Sequence, residues 1–342
     1  MDSKPSPTRH HIVFLQGAFI PIPEIELPAP YTHTRTVYQH TSPSELHARI
    51  HDASIIAICA LKLDATALSS DVTPYLKFIV VVASGTDCVD LEACRARGIA
   101  VSNCPRVNIE SVSEHAIGLY FATRRRLVDM HNRTRAGEWP QKRTLMYNAL
   151  DKHGQPPLTC QEEVVGIVGN GSVGKRIAML ARALGMTVLI SARKDPTDTN
   201  LSSGIPKGER TAFETVIKKS TVIFVAVPLD ESTRNTISTP ELETSSPHAV
   251  IINVSRGGVV DEEAVVKALK DGKIAGAATD VYREEPAGPA NSPFLAEDTK
   301  NLNLVATPHL AWLAKKTWVT QSQMMKKVVE EWCAGRPCNV VV

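Results

Sequence analysis

From Val164 to Arg193 the chain reads VVGIVGNGSVGKRIAMLARALGMTVLISAR, and this stretch limits the possible folds more than any other. A short apolar run, Val164 to Val168, enters Gly169-Asn170-Gly171-Ser172-Val173-Gly174 directly. An apolar-periodic helix follows through Ile177, Leu180, Ala181 and Leu184; Gly185 stops it, and a second apolar run occupies Val188 to Ile190. Strand, glycine turn, helix, strand is the order a dinucleotide site needs. Gly169 permits the tight turn, Gly171 lets the backbone approach a pyrophosphate, and Gly174 lets the helix pack close to the strand. The phosphates would lie on free N–H groups at the positive end of the helix, beside Ser172 and Val173. The bland alternative is a glycine-rich turn in an α/β domain that binds nothing.

About 20 residues past such glycines, an Asp or Glu at the end of the second strand usually holds the NAD ribose 2′-OH. Here that strand ends Ser191-Ala192-Arg193-Lys194. A carboxylate would repel a 2′-phosphate, whereas Ser191, Arg193 and Lys194 would welcome one. The expectation is therefore NADP(H) in preference to NAD(H). Asp195 is the counter-argument, since a shifted loop path would bring it to the ribose.

With 342 residues the chain can build two full domains. A net charge of +2 gives no reason to expect nucleic acid or a membrane surface as partner. No apolar run approaches membrane-spanning length, and Met1 to Arg9 lacks a signal-peptide core. The seven cysteines are scattered, without a CxxC pair, so neither a metal site nor a disulfide framework is indicated. Reduced thiols suit a cytoplasmic setting.

Strand-like runs at His11 to Leu15, Ile55 to Cys59, Phe78 to Val82 and Ile99 to Ser102, with a possible fifth around Val37, alternate with helical patterns such as Ser44 to His51 and Leu91 to Arg97. That rhythm makes a parallel sheet wrapped by helices. A longer helix is expected over Ile109 to Arg125. Arg133 to Cys160 has no clear period and is long for a plain loop, which suggests an insertion or an oligomer contact. Further strands follow at Val222 to Val227, Val250 to Val254, Ile274 to Thr279 and Leu302 to Ala306, giving the second sheet six in all. An amphipathic helix, Trp318 to Trp332, closes the chain and is expected to pack on the first unit.

In open α/β sheets ligands bind outside the carboxyl ends of the strands. Three successive strands of the second sheet are followed there by Ser255-Arg256-Gly257-Gly258, by Asp280-Val281-Tyr282-Arg283-Glu284-Glu285-Pro286, and by Thr307-Pro308-His309. An Arg, a carboxylate and a His at one rim are the groups that ketone reduction needs. Arg holds a carboxylate and polarises the carbonyl, His gives the oxygen a proton, and a carboxylate beside the His stabilises its charged form.

These residues resemble the D-isomer-specific 2-hydroxyacid dehydrogenase family, glyoxylate/hydroxypyruvate reductases included, over nearly the whole chain. IINVSRGGVVDEEAVVKAL, DVYREEP and PHLAW are similar to the family's three catalytic patterns. The resemblance implies Arg256 as catalytic arginine, Glu285 as the acid of a dyad and His309 as acid/base, with Arg256 and His309 also binding substrate. VASGTDCVDLEACRARGIAVSN resembles the substrate-carboxylate loop, implying backbone contacts at Ser84 and Gly85. VAVPLDEST resembles the cofactor lid, implying Val227 and Pro228 beside the adenine and Asp280 facing the nicotinamide amide. The implied architecture is two doubly wound parallel-sheet α/β domains. A flavodoxin-like substrate domain (10–113 plus 314–342) surrounds an inserted Rossmann dinucleotide domain (114–313), with the active site in a cleft closed by hinge motion. A homodimer through the dinucleotide domain is implied as well. Two departures stand out. Ala60-Leu61-Lys62 follows the Ile55 to Cys59 strand where the family often has Arg-Ser, and Ala287 to Pro293 looks like an inserted loop over the site.

The reading that results is an NAD(P)H-dependent reduction of a small 2-keto acid to the D-2-hydroxy acid. Formate dehydrogenases resemble the same family but carry Gln where Glu285 stands. A dinucleotide-sensing protein like the corepressors on this fold remains as an alternative from another class.

Overall fold

A computed structural model describes residues 5–194 and 210–342. The chain divides into two compact units, one running to Asn108 and resuming over Leu313–Val342, the other Ile109–Trp312.

In the first unit the elements are β1 (Arg9–Phe14), β2 (Thr32–Val37), α1 (Pro43–Ile50), β3 (Ile55–Ile58), β4 (Phe78–Val81), α2 (Leu91–Arg97) and β5 (Ala100–Asn103), followed by the chain's last helix, Lys315–Cys333. The strands are parallel in the order β2-β1-β3-β4-β5. Alternation along the strands explains the sandwich. Ile12, Phe14, Ile55, Phe78 and Val80 face the last helix through Met325, Val328 and Val329. Val13, Ile56, Ile58, Ile79 and Val81 face α1 and α2 through Leu46, Ile50 and Cys94. The edge of β5 is covered by the chain end, where Val101 N–H donates to Val342 O and Val341 N–H to Val101 O, each at 2.8 Å.

The second unit starts with α3 (Ile109–Arg124). This helix lies wholly in the second unit, whereas the sequence reading divided it near Ser113. A continuous helix moves as one rod, and its buried stripe, Val112, Ala116, Leu119 and Tyr120, packs on the second sheet. Next come α4 (Leu127–Arg135), α5 (Glu138–Lys142) and α6 (Met146–Ala149). The stretch expected to lack periodic structure is thus partly helical. None of these three helices buries a residue, so no apolar stripe announces them. Then follow β6 (Val164–Val168), α7 (Ser172–Ala183), β7 (Thr187–Ile190), α8 (Phe213–Lys219), β8 (Val222–Val225), α9 (Thr239–Thr244), β9 (Val250–Asn253), α10 (Glu262–Asp271), β10 (Gly276–Thr279) and β11 (Leu304–Ala306). The six strands are parallel in the order β11-β10-β9-β8-β6-β7. Beyond β7 a single bridge, Ser191 to Thr211, stands where a further edge strand would lie. The chain leaves β6 toward β7 on one side and reaches β8 on the other, so the switch point of the sheet falls between β6 and β8.

Beneath this sheet sits a buried ion pair that local sequence does not announce. Arg124 Nε donates to Glu163 Oε1 at 2.6 Å, and Glu163 is fully buried. Arg124 also donates to Thr221 O and His248 O, at 2.8 and 3.0 Å, just ahead of β8 and β9. Tyr120 and Thr221 hydroxyls donate to the same carboxylate. The network bolts the end of α3 to the amino ends of three strands. Removing one partner leaves an uncompensated buried charge, which typically costs about 3–5 kcal/mol. Glu163→Ala and Arg124→Leu should therefore each lower the unfolding free energy by an amount of that order, read from the denaturant midpoint.

Candidate active site

The glycine turn follows β6 directly. Gly169 has φ +108, and a Cβ there would meet Ala226 O at 2.4 Å, so only glycine fits beside the end of β8. A Cβ on Gly174 would lie 2.0 Å from Gly169 O, which is why α7 can start so close to the strand. On Gly171 a Cβ would meet nothing within 4 Å. Gly171 is the N-cap of α7 and offers no side chain to the first-turn N–H groups. Gly171 and Ser172 are exposed, while Val173 packs partly into the core. A twelve-residue helix with an uncapped, open amino end at the switch point fits a dinucleotide pyrophosphate. Val227, next to Gly169, is partly buried, and Pro228 begins the following loop. Asp230 shapes that loop by accepting from Ser232 N–H and Oγ, at 2.8 and 2.6 Å.

At the end of β7 the three residues assigned to the ribose separate. Ser191 is buried and its hydroxyl donates to Ala192 O at 2.6 Å. Lys194 reaches away from the strand end, with its ammonium 2.8 Å from Glu241 Oε1 and 3.2 Å from Thr236 O. The ion pair draws Lys194 toward α9, and Arg193 is the exposed cation that continues β7. Asp195 lies outside the described residues.

The ends of β9, β10 and β11 hold Arg256, Glu285 and His309. Asn253, buried at the end of β9, accepts from Ser255 N–H at 3.0 Å and donates to Arg256 O at 2.9 Å, closing the turn that carries Arg256, whose Nη1 donates to Ser255 O at 2.8 Å. A Cβ on Gly257 would fall 1.8 Å from Tyr282 O, so the Arg256 turn and the segment after β10 run in direct backbone contact. That segment brings Glu285 to His309. The distance from Glu285 Oε2 to His309 Nδ1 is 2.6 Å, and Glu285 Oε1 is fixed by Tyr282 N–H at 2.9 Å. Burial alone would raise the pKa of Glu285. It is instead held below the ordinary carboxylate range by the hydrogen bond to His309 and its charge, by Tyr282 N–H and by the charge of Arg256. An ionised Glu285 can only accept, so Nδ1 of His309 carries a proton, and Nε2 is the nitrogen left to gain or lose one.

His309 itself has φ +53, a left-handed conformation that few non-glycine residues adopt. What imposes it is Asp280, and the sequence reading missed this. The Asp280 carboxylate is 1% exposed and accepts from Leu310 N–H at 3.0 Å, Ala311 N–H at 2.8 Å and Thr307 Oγ1 at 2.6 Å. His115 of α3 adds a contact to Thr307 Oγ1 at 3.0 Å and lies 3.6 Å from the same carboxylate. Asp280, which the resemblance assigns to the nicotinamide amide, braces the turn that carries His309 with both oxygens. Only its place at a strand end could have marked it. Glu262, also buried, accepts from Arg283 N–H at 2.6 Å and Ser292 Oγ at 2.7 Å, so the 287–293 loop is anchored on α10. In the first unit, Ser84 and Gly85 follow β4. Ser84 O accepts from Asn103 Nδ2 at 2.7 Å, and its hydroxyl donates to Asn108 Oδ1 at 3.3 Å.

The model of the D-isomer specific 2-hydroxyacid dehydrogenase NAD-binding domain matches residues 117–311. Glycerate dehydrogenase of Methylorubrum extorquens is 36% identical over 312 residues, 91% of this chain and 93% of that one. Glyoxylate reductase of Thermococcus gammatolerans is 36% identical over 247 residues, covering 70% and 68%. Among solved structures, the NADPH-dependent glyoxylate/hydroxypyruvate reductase of Sinorhizobium meliloti, in complex with NADP and malonate, superposes with TM-score 0.72 at 26% identity, covering 95% of this chain and 93% of that one. D-lactate dehydrogenase of Aquifex aeolicus, at 23% identity and TM-score 0.73 over 95% and 96% of the two chains, shares the fold. The chain belongs to the D-isomer specific 2-hydroxyacid dehydrogenases, and is an NAD(P)-dependent oxidoreductase with a Rossmann NAD-binding domain.

Proposed function

We propose that this protein reduces a 2-keto acid to the D-2-hydroxy acid, reversibly, with His309 and Glu285 as the proton-handling pair and Arg256 holding the substrate carboxylate and polarising its carbonyl. The observation that carries this reading is the 2.6 Å contact between His309 Nδ1 and an ionised Glu285. A reduced pyridine nucleotide, held by Gly169, Gly171, Ser172, Val173 and Gly174 with Val227 and Pro228 alongside, supplies the hydride when bound. His309 stores the proton at Nε2 and gives it to the carbonyl oxygen; in the reverse direction the neutral ring takes it back at the same atom. Glu285 keeps the ring oriented, with Nδ1 protonated and Nε2 toward the substrate. In the first unit the Ser84–Gly85 turn is the segment we assign to the substrate carboxylate.

The cofactor preference we assign is NADP(H) over NAD(H). Support comes from Arg193, exposed where β7 ends, and from the NADP-bound relative of Sinorhizobium meliloti. We also assign a homodimer built through the second unit. Leu127, Val128, Trp139, Met146 and Tyr147 on and around α4 to α6 are 50–72% exposed, an apolar set that a partner would cover. Seven free thiols suit the cytoplasm, and among the described residues no helix is long and apolar enough to cross a membrane.

Turnover, cofactor preference and assembly mass test these assignments. His309→Ala should lower kcat by about 10²–10⁴-fold while NADPH still binds. Glu285→Gln should keep a hydrogen bond but lose the charge. Turnover should fall by about a hundredfold in this variant. The wild-type pair itself should persist at neutral pH and break only as pH falls through the lowered Glu285 pKa. Unchanged turnover in His309→Ala would refute the assignment, and a wild type that turns over no 2-keto acid would favour a dinucleotide sensor. For the cofactor, kcat/KM should favour NADPH over NADH by about ten- to a hundredfold, and Arg193→Ala should erase the difference. For assembly, light scattering should give twice the chain mass, and Trp139→Glu with Tyr147→Glu should give a monomer; a monomeric wild type would contradict the assignment.

A further inference from the structure

We propose that Arg106 selects 2-keto acids carrying a second anionic group at the end remote from the keto acid. This rests on the reading above, in which the Ser84–Gly85 turn takes the substrate carboxylate.

Arg106 has φ +63, a backbone conformation that suits glycine and carries a steric penalty for an L side chain. Two other arginines share a positive φ, but Arg126 and Arg143 lie at helix ends, where the chain must change direction. Arg106 lies in the loop after β5, is exposed, and its guanidinium has no hydrogen bond or ion pair among the described residues. A strained, unpaired cation brings no stability to the fold, so its value lies in what it meets from outside.

Its place says what that is. The loop after β5 is laced to the Ser84–Gly85 turn by Cys104 N–H to Ala83 O at 3.0 Å, Asn103 Nδ2 to Ser84 O at 2.7 Å, and Ser84 Oγ to Asn108 Oδ1 at 3.3 Å. On the other flank, Leu63 N–H donates to Cys88 O at 2.7 Å, tying the loop after β3 to the same segment. That loop carries Lys62, also exposed and also without a partner among the described residues. The turn assigned to the first carboxylate is thus bordered by loops that each present a cation, and Arg106 is the one whose backbone is strained to do so. A substrate with one carboxylate leaves Arg106 idle. A distal carboxylate or phosphate pairs with its planar fork.

The test is steady-state reduction by the full-length protein with NADPH and three probes: glyoxylate with no distal group, oxaloacetate with a distal carboxylate, and phosphohydroxypyruvate with a distal phosphate. At least one dianionic probe should have a higher kcat/KM than glyoxylate, and the better of the two identifies the group. Arg106→Gly, which suits the backbone and should fold, should raise KM for that probe by about ten- to a hundredfold, leaving KM for glyoxylate and NADPH unmoved. Arg106→Lys should recover part of the loss. Glyoxylate preferred over both dianions, or an Arg106→Gly effect equal on all probes or absent, overturns the inference. No turnover of any 2-keto acid would instead sink the reading it rests on, so the two failures are distinguishable.

Discussion

All six strands of the second unit run in one direction, and the candidate site depends on that constraint more than on any single side chain. Because β6, β8, β9, β10 and β11 end on the same edge, the glycine turn, the Val227–Pro228 loop, Arg256, Glu285 and His309 are delivered to one rim from segments far apart in the chain. Parallel pairing needs a crossover for every strand, and the crossovers cover both faces with helices. The sheet is then buried on both sides, as the fully buried β8, β9 and β10 show, and the carboxyl edge is left open for chemistry.

Three buried carboxylates and one partly exposed carboxylate divide the work. Glu163 anchors α3 under the sheet, Asp280 shapes the turn of His309, and Glu262 holds the segment after β10. Each is matched by several donors, the condition under which a buried charge is tolerated. Glu285 differs in keeping one oxygen for a backbone N–H and offering the other to a histidine. The left-handed conformation of His309 is likewise sustained from below, by a carboxylate that grips the two residues after it. Rigid support beneath is what a side chain that must hold its direction requires.

Much of this was legible because some local demands have few chemical answers. A turn with φ +108 pressed against a carbonyl admits only glycine, so Gly169 announced itself, as did Gly174 where helix meets strand. Buried parallel strands read as short apolar runs. The helices α4 to α6 bury nothing and left no period to detect. The hold of Glu241 on Lys194 joins residues 47 positions apart, which no local pattern records. The bracing role of Asp280 was hidden for a similar reason, since its partners lie on the next strand end and on α3.

By itself the sequence determined the alternation of strands and helices, the dinucleotide turn, and which residue types stand at the ends of β9, β10 and β11, because period, glycine and strand-end position are properties of neighbours along the chain. Only the tertiary structure decided which acid props the turn beneath His309, and which cation at the end of β7 meets Glu241. Those outcomes are set by distances between segments that become neighbours only when the sheet closes.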